Sequence, residues 1–168
     1  MNSNIKRKKI RLNQNLYCGD YVYFITICSY SKKSYFGEIK DGKIHLNKIG
    51  EIIEHKIINL PKFFDCMIDK YVIMPNHIHF LISENVVSIS KIMSSFKRHC
   101  FQEIKNLINT GDIRSPLQED ITLNNKIWQK SFYDRIIRNQ KEYDLFWQYI
   151  DENPLRWELD SLNPEKNT

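Results

Sequence analysis

"YVIMPNHIHFLI", Tyr71 to Ile82, decides how the chain folds. The run from Met67 to Met74 reads as a strand, although it alternates only partly. Pro75-Asn76 forces a tight reversal, and His77 to Ile82 returns as an antiparallel partner. Side chains alternate along a strand, so His77 and His79 share one side while Ile78, Phe80 and Ile82 share the other. The apolar side belongs toward a core. The two imidazoles then stand side by side on a free face of the sheet, where each can offer a neutral nitrogen to one divalent cation. Two alternating histidines also serve as polar filler on a half-exposed strand, and pattern alone leaves both readings open. A buried, helix-facing His79 would overturn the metal reading.

Working outward, Tyr21 to Cys28 is aromatic and β-branched and reads as a central strand. Tyr35 to Gly42 reads as a short polar connection with a turn at Asp41-Gly42. Ile49, Ile52, Ile53 and Ile57 recur at helical spacing, which predicts a helix over Asn47 to Asn59, capped by Asn47 and stopped by Pro61. A second helix, capped by Ser88 or Ser90, runs to about Asn109. Gly111 to Asn125 is a polar loop. A strand follows over Ser131 to Ile137, then a helix over Gln140 to Asn153 ended by Pro154. The order gives βαββαβ and one more helix. The fold class is α+β, a ferredoxin-like split βαβ with an antiparallel sheet, helices on one face and an additional C-terminal helix. Residues 1–15 form a basic arm, 16–158 the domain and 159–168 a tail whose last residues fray, while Trp157 is expected to pack back.

The 168 residues suit one domain, and 42% hydrophobic content supplies a core. A net charge of +5 favours a polyanion over an acidic partner. Five basic residues and no acid fall in "MNSNIKRKKIR", with Lys6, Arg7, Lys8 and Lys9 consecutive. Such a block is a solvated arm or a phosphate-contacting one. The four cysteines lack CxxC spacing, so they read as free thiols rather than a disulfide framework or a zinc site. No secretory signal and no bilayer-length apolar window stand out, so the expected location is cytoplasmic, without membrane contact.

Two histidines need further ligands to hold a cation. Tyr149 and Asn153, four apart, share one face of the last helix. An Asn carbonyl oxygen is a hard ligand suited to Mg²⁺ or Mn²⁺. A tyrosine one turn away gives the layout of phosphoryl transfer with a phenolic nucleophile. Tyr143, Phe146, Trp147 and Ile150 share that helix, so Tyr149 is equally at home as a packing residue.

The stretches "YVIMPNHIHFLI", "SISKIMSSFKRH" and "IWQKSFYDRIIRNQKEYDLFWQYIDENPLRW" together resemble the REP-associated tyrosine transposases, a branch of the IS200/IS605-like single-tyrosine transposases. The likeness runs from about Tyr21 to Trp157. It implies an HUH enzyme, with the two histidines in His77-Ile78-His79. His77, His79 and Asn153 would bind Mg²⁺ or Mn²⁺, and Tyr149 would be the nucleophile. Single-stranded DNA beside a hairpin would be cut to a 5′-phosphotyrosine and a free 3′-hydroxyl, then rejoined. Lys91, Lys97, Arg98, Arg135 and Arg138, with the arm residues Lys6 to Lys9, are the expected phosphate contacts. Phe132 and Tyr133 are candidates to stack a base, core packing being expected of one of them. The resemblance leaves monomer and homodimer open. A competing class is a non-catalytic binder of single-stranded or hairpin nucleic acid, or a repressor, on the same fold. An RNA-binding sheet of this shape carries aromatics on its open face, where this chain carries His77 and His79.

Overall fold

The computed structural model describes residues 21–84, 87–112, 121–122 and 126–167. The arm residues Lys6, Arg7, Lys8 and Lys9, and most of the expected loop between Gly111 and Asn125, lie outside them.

The elements are β1 (Val22–Cys28), β2 (Gly37–Lys40), β3 (Lys43–Leu46), α1 (Lys48–Asn59), β4 (Cys66–Ile73), β5 (His77–Glu84), α2 (Ile89–Thr110), β6 (Tyr133–Ile136) and α3 (Gln140–Glu152). Four strands form one sheet in the order β4-β5-β1-β6, with every neighbouring pair antiparallel. With α1 and α2 inserted, this is the split βαβ arrangement read from the sequence.

Alternation divides the sheet into two faces. Tyr23, Ile25 and Ile27 of β1 and Ile78, Phe80 and Ile82 of β5 join one cluster with Ile52, Ile53 and Ile57 of α1 and Ile92, Met93, Phe96 and Ile104 of α2. Each such side chain taken from water contributes about 1.5–3 kcal/mol, so this face anchors the fold. The opposite face carries Phe24 and Leu81, which pack with Ile150 of α3. The histidine face is therefore not free, as the sequence suggested. Helix α3 lies across it.

Local chemistry explains the element boundaries. Asn47 Oδ1 accepts from the amides of Ile49 and Gly50 and caps α1. Ser88 occupies the cap position of α2 without a side-chain hydrogen bond. Asn139 accepts from the Glu142 amide, and Glu142 reaches back to the Arg138 amide, a reciprocal cap that fixes where α3 begins. Pro154 ends the α-helical hydrogen bonding, and the chain continues as a 3₁₀ turn over Pro154–Leu159.

Two features depart from the sequence reading. The connection around Asp41-Gly42 is a hairpin, β2 against β3, and its turn residues have φ of 50° and 68°. Both values are positive, as a two-residue hairpin turn requires. Strands of four residues with alternating charges gave no apolar signal. In β4 the register shifts between Ile68 and Lys70. This bulge accounts for the partial alternation. Asp69 and Lys70 both meet α3: Tyr143 Oη donates to Asp69 at 3.1 Å, and Lys70 pairs with Asp151 at 2.6 Å while lying over the Trp147 ring.

Candidate active site

His77 and His79 stand on the α3 side of β5, with ring centroids 4.6 Å apart. Both are buried. His79 does face a helix, but that helix is α3, which carries Tyr149, and not α1 or α2. The Tyr149 ring meets His79 edge-on at 5.2 Å and Phe24 at 5.8 Å. The phenol remains 39% exposed, so it packs on the site without being sealed into it. Asn153, the last residue before Pro154, is buried beside the histidines.

Each imidazole is oriented through Nδ1. His77 Nδ1 lies 2.8 Å from Asn76 Oδ1. The Asn76 amide group itself donates to the carbonyls of Lys32 and Leu162, so its oxygen must be the atom facing His77. His77 therefore carries its proton on Nδ1 and a lone pair on Nε2. His79 Nδ1 lies 2.9 Å from Thr26 Oγ1, its cross-strand partner on β1. The hydroxyl accepts when Nδ1 is protonated, which again leaves Nε2 bare. His77 Nε2, His79 Nε2 and Asn153 Oδ1 are buried and have no hydrogen-bond partner among the described residues. A buried polar atom without a partner costs about 1–3 kcal/mol. Two buried imidazole nitrogens and one buried amide oxygen, all without partners, are donors of the kind that suits a divalent cation of the Mn²⁺ or Mg²⁺ type. Among the described residues there is no cluster of three or more His, Cys, Asp and Glu, so the asparagine is essential to this donor set.

The electrostatics agree with neutral ligands. Burial pushes His77 down to about 4, against the opposing pull of Asp160 and Asn153. Burial and the neighbouring His77 hold His79 well below its ordinary value. Burial and Asp160 raise the Tyr149 phenol, and Asn153 opposes them. These depressed histidines give a stability prediction for the protein in EDTA. As pH falls below about 6.5 the unfolded chain takes up protons that the folded site refuses, so stability is lost progressively toward about 4. Urea unfolding between pH 6.5 and 5, where the common carboxylates stay ionised, reads the slope. A flat profile would mean that the imidazoles take protons inside the fold.

Thr26 gives a second prediction. Thr26→Val keeps the shape and removes the oxygen that orients His79. Loss of such a partner should weaken divalent-cation affinity about 10–100-fold. Mn²⁺ titration followed by electron paramagnetic resonance measures it. Unchanged affinity would assign the orientation of His79 to packing under Phe24, 5.1 Å away.

A groove of about 430 Å³ opens beside Tyr149, lined by Phe24, Thr26, His79, Tyr133 and Phe146 among others. The expected phosphate contacts are distributed unevenly around it. Arg135 pairs with Phe24 across the sheet, so it lies on the histidine face, where it bridges to Glu142 at 2.6 Å and sits over Phe146. Arg138 is exposed at the entry to α3. Lys91 and Arg98 are exposed on α2, whose buried side packs on the other face of the sheet. Lys97 donates to the carbonyls of Gln129 and Ser131 at 2.9 Å, clamping the approach to β6. Of the two aromatic candidates, Phe132 is buried in the core and Tyr133 is exposed on the groove side.

A profile of the family described as "Transposase IS200 like" matches residues 21–153. The chain belongs to this family. An uncharacterised protein of Haemophilus influenzae is 33% identical over 166 residues, covering 93% of this chain and 92% of its own. The fold of this IS200-like transposase is similar to that of a REP-associated tyrosine transposase solved with a REP hairpin. The TM-score is 0.59 at 18% identity, over 87% of this chain and 73% of that one. It is also similar to a candidate transposase of Deinococcus radiodurans R1, with a TM-score of 0.52 at 10% identity, over 84% and 96%. Membership implies DNA strand-transfer chemistry in general.

Sequence reasoning passed over Thr26 and Asp160, and it placed Asn76 in the turn without its hydrogen bond to His77. Thr26 becomes visible once strand register is known. Trp157, expected to pack back, has its ring 6.1 Å from His77. Residues 159–168 read as a tail, yet the Leu162 carbonyl accepts from Asn76 at 2.7 Å, a contact that nothing periodic in that segment announces. No helix among the described residues is long and apolar enough to cross a membrane.

Proposed function

We propose that this chain is a divalent-cation-dependent transposase that cuts and rejoins single-stranded DNA beside hairpins through Tyr149. One observation carries the reading: His77 Nε2, His79 Nε2 and Asn153 Oδ1 are buried without partners beneath the helix turn that presents the Tyr149 phenol. These three residues would hold Mg²⁺ or Mn²⁺. Such a cation polarises a phosphoryl oxygen and stabilises charge that develops in the transition state.

The protein's own part follows from the site. Burial keeps the proton on the Tyr149 oxygen in the resting state. In reaction that oxygen loses its proton and bonds to phosphorus while the bond from phosphorus to the 3′-oxygen breaks, and the 3′-oxygen ends as a hydroxyl. The 5′-phosphotyrosine conserves the phosphodiester energy, so a second 3′-hydroxyl can reverse the step without ATP. Packing of α3 on Phe24 and Leu81 fixes where the phenol stands. Tyr133 at the groove edge can stack a base, and Arg135, Arg138 and the arm residues Lys6 to Lys9 can hold phosphates. Lys91 and Arg98 reach DNA only if it wraps to the α2 face.

The test is a labelled single-stranded hairpin oligonucleotide incubated with Mn²⁺. A covalent protein–DNA species should form, map to the peptide containing Tyr149 and disappear in EDTA. Binding without any adduct would favour the non-catalytic hairpin binder.

A further inference from the structure

We propose that Gln129 is a specificity-determining residue of the groove, reading the edge of an unpaired nucleobase beside Tyr149 while Lys97 braces its backbone from behind. The inference rests on the DNA reading above and adds to it the residue that selects the base.

Gln129 precedes β6 and lines the groove of about 430 Å³ together with Tyr133 and Tyr149. Its backbone is held on both sides. The Gln129 amide donates to the Cys28 carbonyl at 3.0 Å, at the end of β1, and the Gln129 carbonyl accepts from Lys97 Nζ at 2.9 Å. The same ammonium donates to the Ser131 carbonyl at 2.9 Å, and the Trp128 indole donates to the Lys97 carbonyl at 3.1 Å. One residue of α2 is thus bonded to Trp128, Gln129 and Ser131 of this wall. A side chain that must select a ligand works best on backbone held this way.

Both backbone groups of Gln129 are in use, so what it can offer the groove is its side-chain amide. That amide has no hydrogen-bond partner among the described residues. It combines donors and an acceptor, the pattern that distinguishes one nucleobase edge from another. Unpaired bases are read on their edges while an aromatic ring takes their faces. Tyr133, exposed on the same groove, supplies such a ring. Phosphate contacts position a strand without reading its sequence, so base choice falls to a neutral group of this kind.

Hairpin oligonucleotides with each of the four bases in turn at the unpaired positions beside the stem test this, with affinity measured by fluorescence anisotropy in EDTA. Wild type should prefer one base at one position by about 10-fold. Gln129→Met keeps a chain of similar length without the amide and should lose that preference. Lys97→Met should blunt it too, with the salt dependence of binding unchanged, whereas loss of a phosphate contact would lower the slope by about 0.7. A preference kept in Gln129→Met, or equal binding of all four bases by wild type, overturns the role of Gln129 and leaves the transposase reading standing. A full preference or a lowered slope in Lys97→Met overturns the brace. No hairpin binding by wild type overturns the transposase reading as well.

Discussion

Tyr149→Phe should abolish the covalent DNA adduct, a loss of at least about 10⁴-fold, because it removes the oxygen at which the proposed bond forms. The substitution removes one oxygen and keeps the ring. That ring makes the edge contacts to His79 and Phe24, and the phenol is part-exposed, so stability should change by no more than about 0.5 kcal/mol. Hairpin binding should persist, since the phosphate contacts and base stacking proposed above fall to other residues. Denaturing electrophoresis reads the adduct, and a mobility shift reads binding. An adduct formed by the Phe variant would assign the nucleophile elsewhere. Tyr143 and Tyr133 are the rivals. Tyr143 donates to Asp69, and Tyr133 stands on the edge strand and lines the same groove as Tyr149, so mapping the adduct peptide separates the two.

The second large effect belongs to His79. His79→Ala should weaken Mn²⁺ binding by at least about 100-fold and bring cleavage to background. Removing a buried ring leaves a cavity, yet it also removes a nitrogen that has no partner. These terms oppose one another, and the expected cost is about 1–3 kcal/mol, short of unfolding the domain. His79→Gln keeps more of the volume and separates lost coordination from lost packing. If both variants bind Mn²⁺ as wild type does, His79 is a core histidine of the kind the bare sequence allowed. DNA binding measured in EDTA should be insensitive to either change.

The parts of the site differ in how plainly they could be read. His77 and His79 were legible because a strand has a fixed period and the flanking isoleucines and Phe80 mark the buried side. Tyr149 and Asn153 were legible because four residues make about one helical turn. Their relation to the histidines was not, since it depends on α3 crossing the sheet on the face opposite α1 and α2. Thr26 required the register of β1 on β5, which sets it across from His79. Lys97 shows the converse limit. A lysine on an amphipathic helix reads as a phosphate contact, and only packing revealed that two backbone carbonyls use it.

By itself the sequence determined the split βαβ order, the two-sided character of β5 and the residues to be examined as a candidate site. All of these follow from local periodicity and from the turn and cap preferences of Pro, Gly and Asn. The tertiary structure decided that the histidine face is covered, that His77 Nε2, His79 Nε2 and Asn153 Oδ1 are buried without partners, and that Asp160 lies 3.7 Å from His77. Those facts are contacts between segments far apart in the chain. They arise from the packing of α3 and its tail on the sheet, which no local pattern encodes.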